Sequence, residues 1–294
     1  MTRNSILRKK NFYLNSRYGR FGNNIQQAGL ASMFANKYKV NVYVKNLQNI
    51  KPFKIINSKF SSFFRLSNNS SRFFFYGSKE FNNFPPDDPL VKEDFEYYHE
   101  NFYDSIRTFV KPNIEFLKEL NIDPNILVVH IRGFTKDNPN GNHPDYIQNP
   151  IIYYKEILSN FDKTLVVTDD EQTSIIKSLK KDFNIKVQST SIENDFNTLI
   201  SAKNLATSGV GTFSISAAII SDRLENLFFS NFYLDRHLNP KMIQGGVKKF
   251  EFKIINYLKF GDWDVSKDSL ETLIHNHKEI VVPDLFKKTF PKTY

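Results

Sequence analysis

Ile126-Leu127-Val128-Val129-His130-Ile131-Arg132-Gly133 is the stretch on which the fold turns. Its apolar run is nearly unbroken, the pattern of a strand covered on both faces and hence of a parallel sheet. The run ends on an arginine and a glycine, at the strand end where open parallel sheets take their ligands. Just before it, Asn121-Ile122-Asp123-Pro124 breaks any regular element and is the clearest boundary in the chain. It separates an N-terminal half, residues 1–122, from a C-terminal half, residues 123–294.

Downstream the pattern alternates. A long polar loop is followed by an expected helix over 153–160, a strand over 164–168, a helix over 173–181 and a strand over 185–188. A helix over 196–202, a short strand over 204–208, a Gly-containing turn, a helix over 214–222 and a last strand over 226–230 complete the array. Upstream, Lys39-Val40-Asn41-Val42-Tyr43-Val44-Lys45 alternates as a half-buried strand does. It follows a helix over 25–37 rich in small residues and an opening strand over 11–14, which makes a βαβ unit with parallel pairing. Phe73–Gly77 reads as a buried strand, Phe84–Pro89 as a proline-broken loop, and 95–116 as helix on both sides of Pro112. The sequence thus predicts an α/β protein of two Rossmann-like halves, without internal repeats.

Composition narrows the function. The 294 residues carry 40 Lys plus Arg against 31 Asp plus Glu, a net charge of +9, with 40% hydrophobic and 15% aromatic residues. Such a chain has ample material for buried cores and is neither disordered nor a coiled coil. It contains no cysteine, which excludes disulfides, thiolate metal sites and thiol nucleophiles. The N-terminus lacks the apolar core and cleavage site of a secretory signal, and no run of about 18 apolar residues occurs. A cytoplasmic protein, peripheral at a membrane face, is the expectation. Its positive charges are scattered rather than striped, which points away from nucleic acid and toward an anionic ligand or a membrane-bound substrate.

Three loops lie where chemistry is expected. Arg17-Tyr18-Gly19-Arg20-Phe21-Gly22-Asn23-Asn24 opens the first helix; its free N–H groups suit an anion, and its glycines equally suit a plain tight turn. In His130-Ile131-Arg132-Gly133-Phe134-Thr135-Lys136-Asp137, the Arg132 guanidinium can hold a phosphate through two hydrogen bonds and Lys136 can add a point charge. His130 either contacts a base or is a satisfied core histidine. Gly209-Val210-Gly211-Thr212-Phe213-Ser214 is a turn into a helix, where Thr212 and Ser214 either cap the helix or present hydroxyls to a diphosphate.

The order of these segments resembles family 11 glycosyltransferases, the inverting α-1,2-fucosyltransferase-like enzymes, with fainter similarity to α-1,6-fucosyltransferases. The family's G-G-x-G-N-Q motif is similar to Gly19–Gln27, its H-x-R-R-G-D signature to Val129–Gly133, and its paired-Tyr helix start to Asn149–Tyr154. Its F-S-D-D strand end resembles Val167-Thr168-Asp169-Asp170. Its late acidic residue, helix and N-S-S-F-S-W-W resemble Glu193–Ala202 and Gly211–Ala218. The likeness covers residues 11–230, with Gly133 in place of the second arginine and Ile215-Ser216 in place of the paired tryptophans.

The resemblance implies a GT-B fold, two facing Rossmann-like domains with parallel sheets. The N-terminal domain would take the acceptor, and the C-terminal one a nucleotide sugar, GDP-fucose. Arg132 would hold the diphosphate and His130 the guanine side, with Gly22 and Asn23 in the first glycine loop. Thr212, Phe213 and Ser214 would line the phosphate turn, and Asp195 or Glu193 would accept from guanine N–H groups. Inverting transfer is a single displacement, so the acceptor hydroxyl needs a base. Asp137, His143 and Asp145, on the loop after Arg132, are the candidates. Such an enzyme needs no metal and no cofactor beyond its donor, and its acceptor is a glycan or lipid-linked glycan. Asp262-Trp263-Asp264 matches the metal-diphosphate D-x-D pattern but stands after both arrays, where that pattern does not belong. His275 and His277, two apart on an expected helix, diverge. Residues 231–294 are expected to pack back over the N-terminal half. The alternatives are the same fold with another nucleotide sugar, and a non-catalytic nucleotide- or sugar-binding module.

Overall fold

A computed structural model describes residues 11–15, 19–57, 95–133, 148–233, 239–257, 275 and 277–291. The chain divides into two compact units, Met1–Leu117 with Asp235–Met242, and Lys118–Leu234 with Ile243–Tyr294. The expected strand at Phe73–Gly77, the proline loop at Phe84–Pro89 and Asp262-Trp263-Asp264 lie outside the described residues.

In the first unit, β1 (Asn11–Leu14), α1 (Phe21–Tyr38) and β2 (Asn41–Val44) form the βαβ unit, with β1 and β2 parallel. β3 (Phe53–Ile55) adds an antiparallel edge. Alternation sets the faces: Phe12, Leu14, Val42 and Val44 are buried, while Tyr13 and Tyr43, partners in register, stack at 5.0 Å and stay half-exposed. α1 starts four residues before Ile25 because Phe21, Gly22 and Asn24 are buried with the rest of the helix. Helix α2 (Phe95–Ser105) runs into a π-helical turn, Ile106–Val110, and a 3₁₀ turn, Lys111–Asn113. Helical structure therefore ends at Pro112 and its neighbour instead of resuming to residue 116. A Cβ on Gly29 would stand 2.5 Å from Ile106 Cγ1 and 2.9 Å from Phe102 Cε2, so α1 and this turn touch where only glycine fits.

The second unit is built on a seven-stranded sheet. Its elements are β4 (Leu127–Ile131), α3 (Ile151–Leu158), β5 (Thr164–Thr168), α4 (Ser174–Asp182), β6 (Ile185–Gln188), α5 (Ile192–Ser201) and β7 (Asn204–Ala206). α6 (Thr212–Ile220), β8 (Asn226–Ser230), β9 (Lys248–Ile254), β10 (Ile280–Val281) and α7 (Asp284–Thr289) complete it. The strand order is β10-β9-β8-β7-β4-β5-β6, parallel throughout except at β10. Counted from β4, the six parallel strands stand in the order 3-2-1-4-5-6, which is the Rossmann arrangement. All five residues of β4 are buried.

The sheet corrects one expectation. Asn226–Ser230 is not the last strand: Lys248-Lys249-Phe250-Glu251-Phe252-Lys253-Ile254 pairs beside it with Phe250, Phe252 and Ile254 buried, a plain period-2 pattern. Of the tail, Asp235–Met242 belongs to the first unit and Ile243 onward to the second. α7 docks there through Phe286, 2% exposed, in a nest with Phe161, Phe228, Phe250, Phe252 and Phe290 whose centroid separations run from 5.0 to 5.9 Å.

Truncating that ring leaves a cavity between α7 and the sheet. Phe286→Ala is expected to lower stability by about 3–5 kcal/mol in urea unfolding; a loss under about 1 kcal/mol would show that α7 is not part of the core.

Candidate functional site at the strand-order reversal

Successive strands step away from β4 in both directions, β5 on one side and β7 on the other, so the segments leaving their carboxyl ends part and open a crevice. Three segments meet there: Ile131–Gly133 after β4, Thr168–Asp170 after β5, and Thr207–Gly211 leading from β7 into α6.

His130 is the last but one residue of β4 and is 7% exposed. Its Nδ1 lies 3.0 Å from Ser208 Oγ, a hydrogen bond across the reversal point from β4 to the end of β7. Its ring packs on Phe213 of α6 at 5.4 Å, and Phe213 in turn meets Phe196 of α5 at 5.3 Å. Burial lowers the His130 pKa to about 4; the Asp169 charge opposes that shift and the Arg132 charge adds to it. The imidazole is neutral at pH 7. This is the satisfied histidine of the two readings.

Arg132, half-buried, stands next in the chain. Gly133 fixes the backbone beyond: its N–H donates to Asp169 Oδ1 at 2.5 Å, and a Cβ at 133 would stand 2.5 Å from Asp170 Cβ and 2.9 Å from the Asp170 backbone nitrogen. A larger side chain has no room at this position. Thr168 Oγ1 and Asp170 bond each other in a tight local turn, which holds Asp169 exposed at the mouth.

On the other side, Gly209 sits at φ +83°, a conformation glycine adopts at little cost. Gly211, with φ −178°, is the N-cap of α6 and provides no side-chain cap. Thr212, Phe213 and Ser214 are therefore the first three residues of the helix, where N–H groups lack intrahelical partners. Ser214 is fully buried and its hydroxyl has no hydrogen-bond partner. A buried hydroxyl without a partner costs roughly 1–3 kcal/mol, and a side chain in the first turn is directed back toward the helix start.

The remaining sequence-predicted residues fall elsewhere. Asp195, in the first turn of α5, is held by its own surroundings: Oδ1 accepts from Gln188 Nε2 at 2.8 Å and Thr190 Oγ1 at 2.7 Å, and Oδ2 from the Thr190 N–H. Glu193 shares that turn. Gly22 and Asn23 belong to the first unit, in the first turn of α1. There Gly19 takes φ +71° with the Asn23 side chain against it, and Asn24 organises the loop. The Asn24 amide donates to Gly19 O and Arg20 O and accepts from the Gln48 N–H. Lys136, Asp137, His143 and Asp145 lie outside the described residues. Among the described residues no three His, Cys, Asp or Glu side chains cluster as metal ligands would, and no helix is long and apolar enough to cross a membrane. Sequence reasoning gave no role to Ser208, and it quoted Asp169 and Asn149 only within segments of the resemblance, without assigning either a contact; a lone polar residue outside the regular elements carries no spacing signal.

No family model matches the chain, and no curated protein matches it. A solved structure described as POFUT1 in complex with GDP-fucose (crystal form I) is similar over 76% of this chain and 74% of that one. The identity is 13% and the TM-score 0.27, too distant to assign anything to this chain.

The geometry makes two outcomes testable. In a proton NMR titration the His130 ring is expected to stay neutral until pH approaches 4. Its folded pKa is below its unfolded value, so between about 6.5 and 4 the unfolded chain binds a proton that the folded one refuses. Stability then falls with pH by up to about 1.4 kcal/mol per unit; a ring midpoint near 6.5 would show that His130 is not buried as described. Gly133→Ala forces a methyl against Asp170 and is expected to cost about 1–3 kcal/mol in urea unfolding, whereas an unchanged midpoint would mean the strand-end turn is loose.

Proposed function

We propose that this chain is a glycosyltransferase that binds a nucleoside-diphosphate sugar at the carboxyl ends of β4 and β7. The observation that carries the reading is Ser214: a fully buried hydroxyl without a partner, in the first turn of a helix whose N-cap gives no side-chain cap. A diphosphate supplies the acceptor oxygens such a helix end needs, and the helix dipole favours its charge. Arg132, close enough to His130 to lower that ring's pKa, provides the positive charge.

In the finer reading the chain has the GT-B arrangement, with the acceptor side in residues 1–122 and the donor side in 123–294, and it inverts the anomeric centre. Bond breaking at the anomeric carbon leaves negative charge on the diphosphate. Arg132 and the α6 N–H groups meet that charge where it develops. The donor is GDP-fucose, with His130 and Phe213 toward the base. One of Asp137, His143 and Asp145 takes the proton of the acceptor hydroxyl, and Lys136 adds charge beside the phosphates. The acceptor is a glycan or lipid-linked glycan reached at a membrane face. No nucleic acid and no metal takes part.

Calorimetric titration with GDP, UDP and CMP, on the native protein and on Arg132→Ala, tests this. GDP binding is expected, weakened in the variant by about 1.5–3 kcal/mol, the worth of a charged hydrogen bond. Preference for UDP or CMP would keep the transferase and discard fucose. Absence of any nucleotide binding would overturn the reading. Sugar transfer is expected to survive a chelator, and its abolition would overturn the metal-free step.

A further inference from the structure

Asn149 stands two residues before α3, in no regular element, and is fully buried. A buried amide is unfavourable unless satisfied, and both ends of this one are used at the strand-order reversal. Its Nδ2 donates to the Thr207 carbonyl at 3.1 Å, and its Oδ1 accepts from Ser230 Oγ at 2.5 Å. Thr207 is the first residue past β7 and Ser230 the last of β8. The neighbouring Gln148 forms an antiparallel bridge with Gly209, and its carbonyl accepts from Tyr257 Oη at 3.2 Å. The Thr207 N–H is already bonded to Phe228 O at 3.0 Å. Residue 207 is thus held on both sides of its backbone, by β8 through its N–H and by Asn149 through its C=O.

The link from Thr207 to α6 is short: Ser208, the left-handed Gly209, Val210 and the N-cap Gly211, then the first turn of the helix. With so little chain between them, the position of the Thr207 carbonyl sets where the α6 N–H groups and Ser214 stand. An apolar residue of the same volume would fill the space as well without fixing that carbonyl.

We propose that Asn149 is a positioning residue for the diphosphate-binding end of α6, acting through Thr207; this rests on the nucleotide-sugar reading above. Asn149 does not touch the ligand. Its loss leaves His130 in place on β4 and moves the first turn of α6, Phe213 with it, off the phosphates.

The test is calorimetric titration of the full chain with GDP and with guanosine, and in parallel with UDP and uridine. In Asn149→Ala the diphosphate is expected to bind about tenfold more weakly, the worth of roughly one hydrogen bond to a charged group, with a clearly smaller loss for the nucleoside. Asn149→Asp, which keeps the acceptor for Ser230 but sets a carboxylate against the Thr207 carbonyl, is expected to do the same. Unchanged diphosphate affinity in both variants overturns the proposal. Equal loss for diphosphate and nucleoside overturns it too, because packing alone predicts that. If Asn149→Ala does not fold, Asn149→Asp decides: diphosphate affinity that stays at the native value in it overturns the proposal. A native protein that binds GDP and UDP no better than their nucleosides strikes the diphosphate site itself, and the role of Asn149 falls with it.

Discussion

β4 has parallel neighbours on both sides, and the second unit depends on that constraint. A parallel strand needs a crossover on each side, and the crossovers from β4 and β7 depart in different directions. The main chain itself therefore cannot close the space above their carboxyl ends. Around that space stand an arginine, a neutral histidine, a glycine turn and a helix whose N-cap gives no side-chain cap. Without β7 beside β4, His130 would lose Ser208, and the α6 helix would start somewhere else.

The polar residues near this point fall into two kinds. Asn149, Thr168, Thr207, Ser208 and Ser230 are buried with partners of their own, and they build the turns. Ser214 is buried without a partner, and Arg132 and Asp169 reach the opening. Such a division lets the second kind be fixed in position, since the first kind absorbs the desolvation and the strain of the turns. Gly133 shows how little slack is left, because even one carbon there collides with Asp170.

Much of this was legible in the sequence because burial and period leave marks. The run Leu127–Ile131, the strand at 164–168 and that at 185–188 could be placed closely, as could the strand-end positions of His130 and Arg132. Helix starts were less legible: α5 begins at Ile192, four residues before Phe196, because Ser191 accepts from the Asn194 N–H. β9 carries a clear alternation, and only its place beyond an already complete α/β array hid it. The Asn149 network had no local mark at all, since Asn149 and Ser230 are 81 residues apart and neither spacing nor composition links them. Asp195 shows the opposite limit: a carboxylate is suited to a base N–H, and the fold turns it toward Gln188 and Thr190.

The two-residue strand β10 has a consequence for solubility. β9 is seven residues long, and it pairs with β8 on one side while only Ile254 and Lys253 pair with β10 on the other. Among the described residues nothing else pairs with that side, and a strand edge of this length is a template for adding strands from other molecules. The exposed Lys248, Lys249 and Lys253 along it act as gatekeepers against such pairing. Proteolytic removal of the chain from residue 277 onward would take away β10 and the Phe286 ring together, removing the described partner of that β9 edge and uncovering the phenylalanines beneath it. Filament-like self-association, rather than simple unfolding, is the failure that such a cut invites.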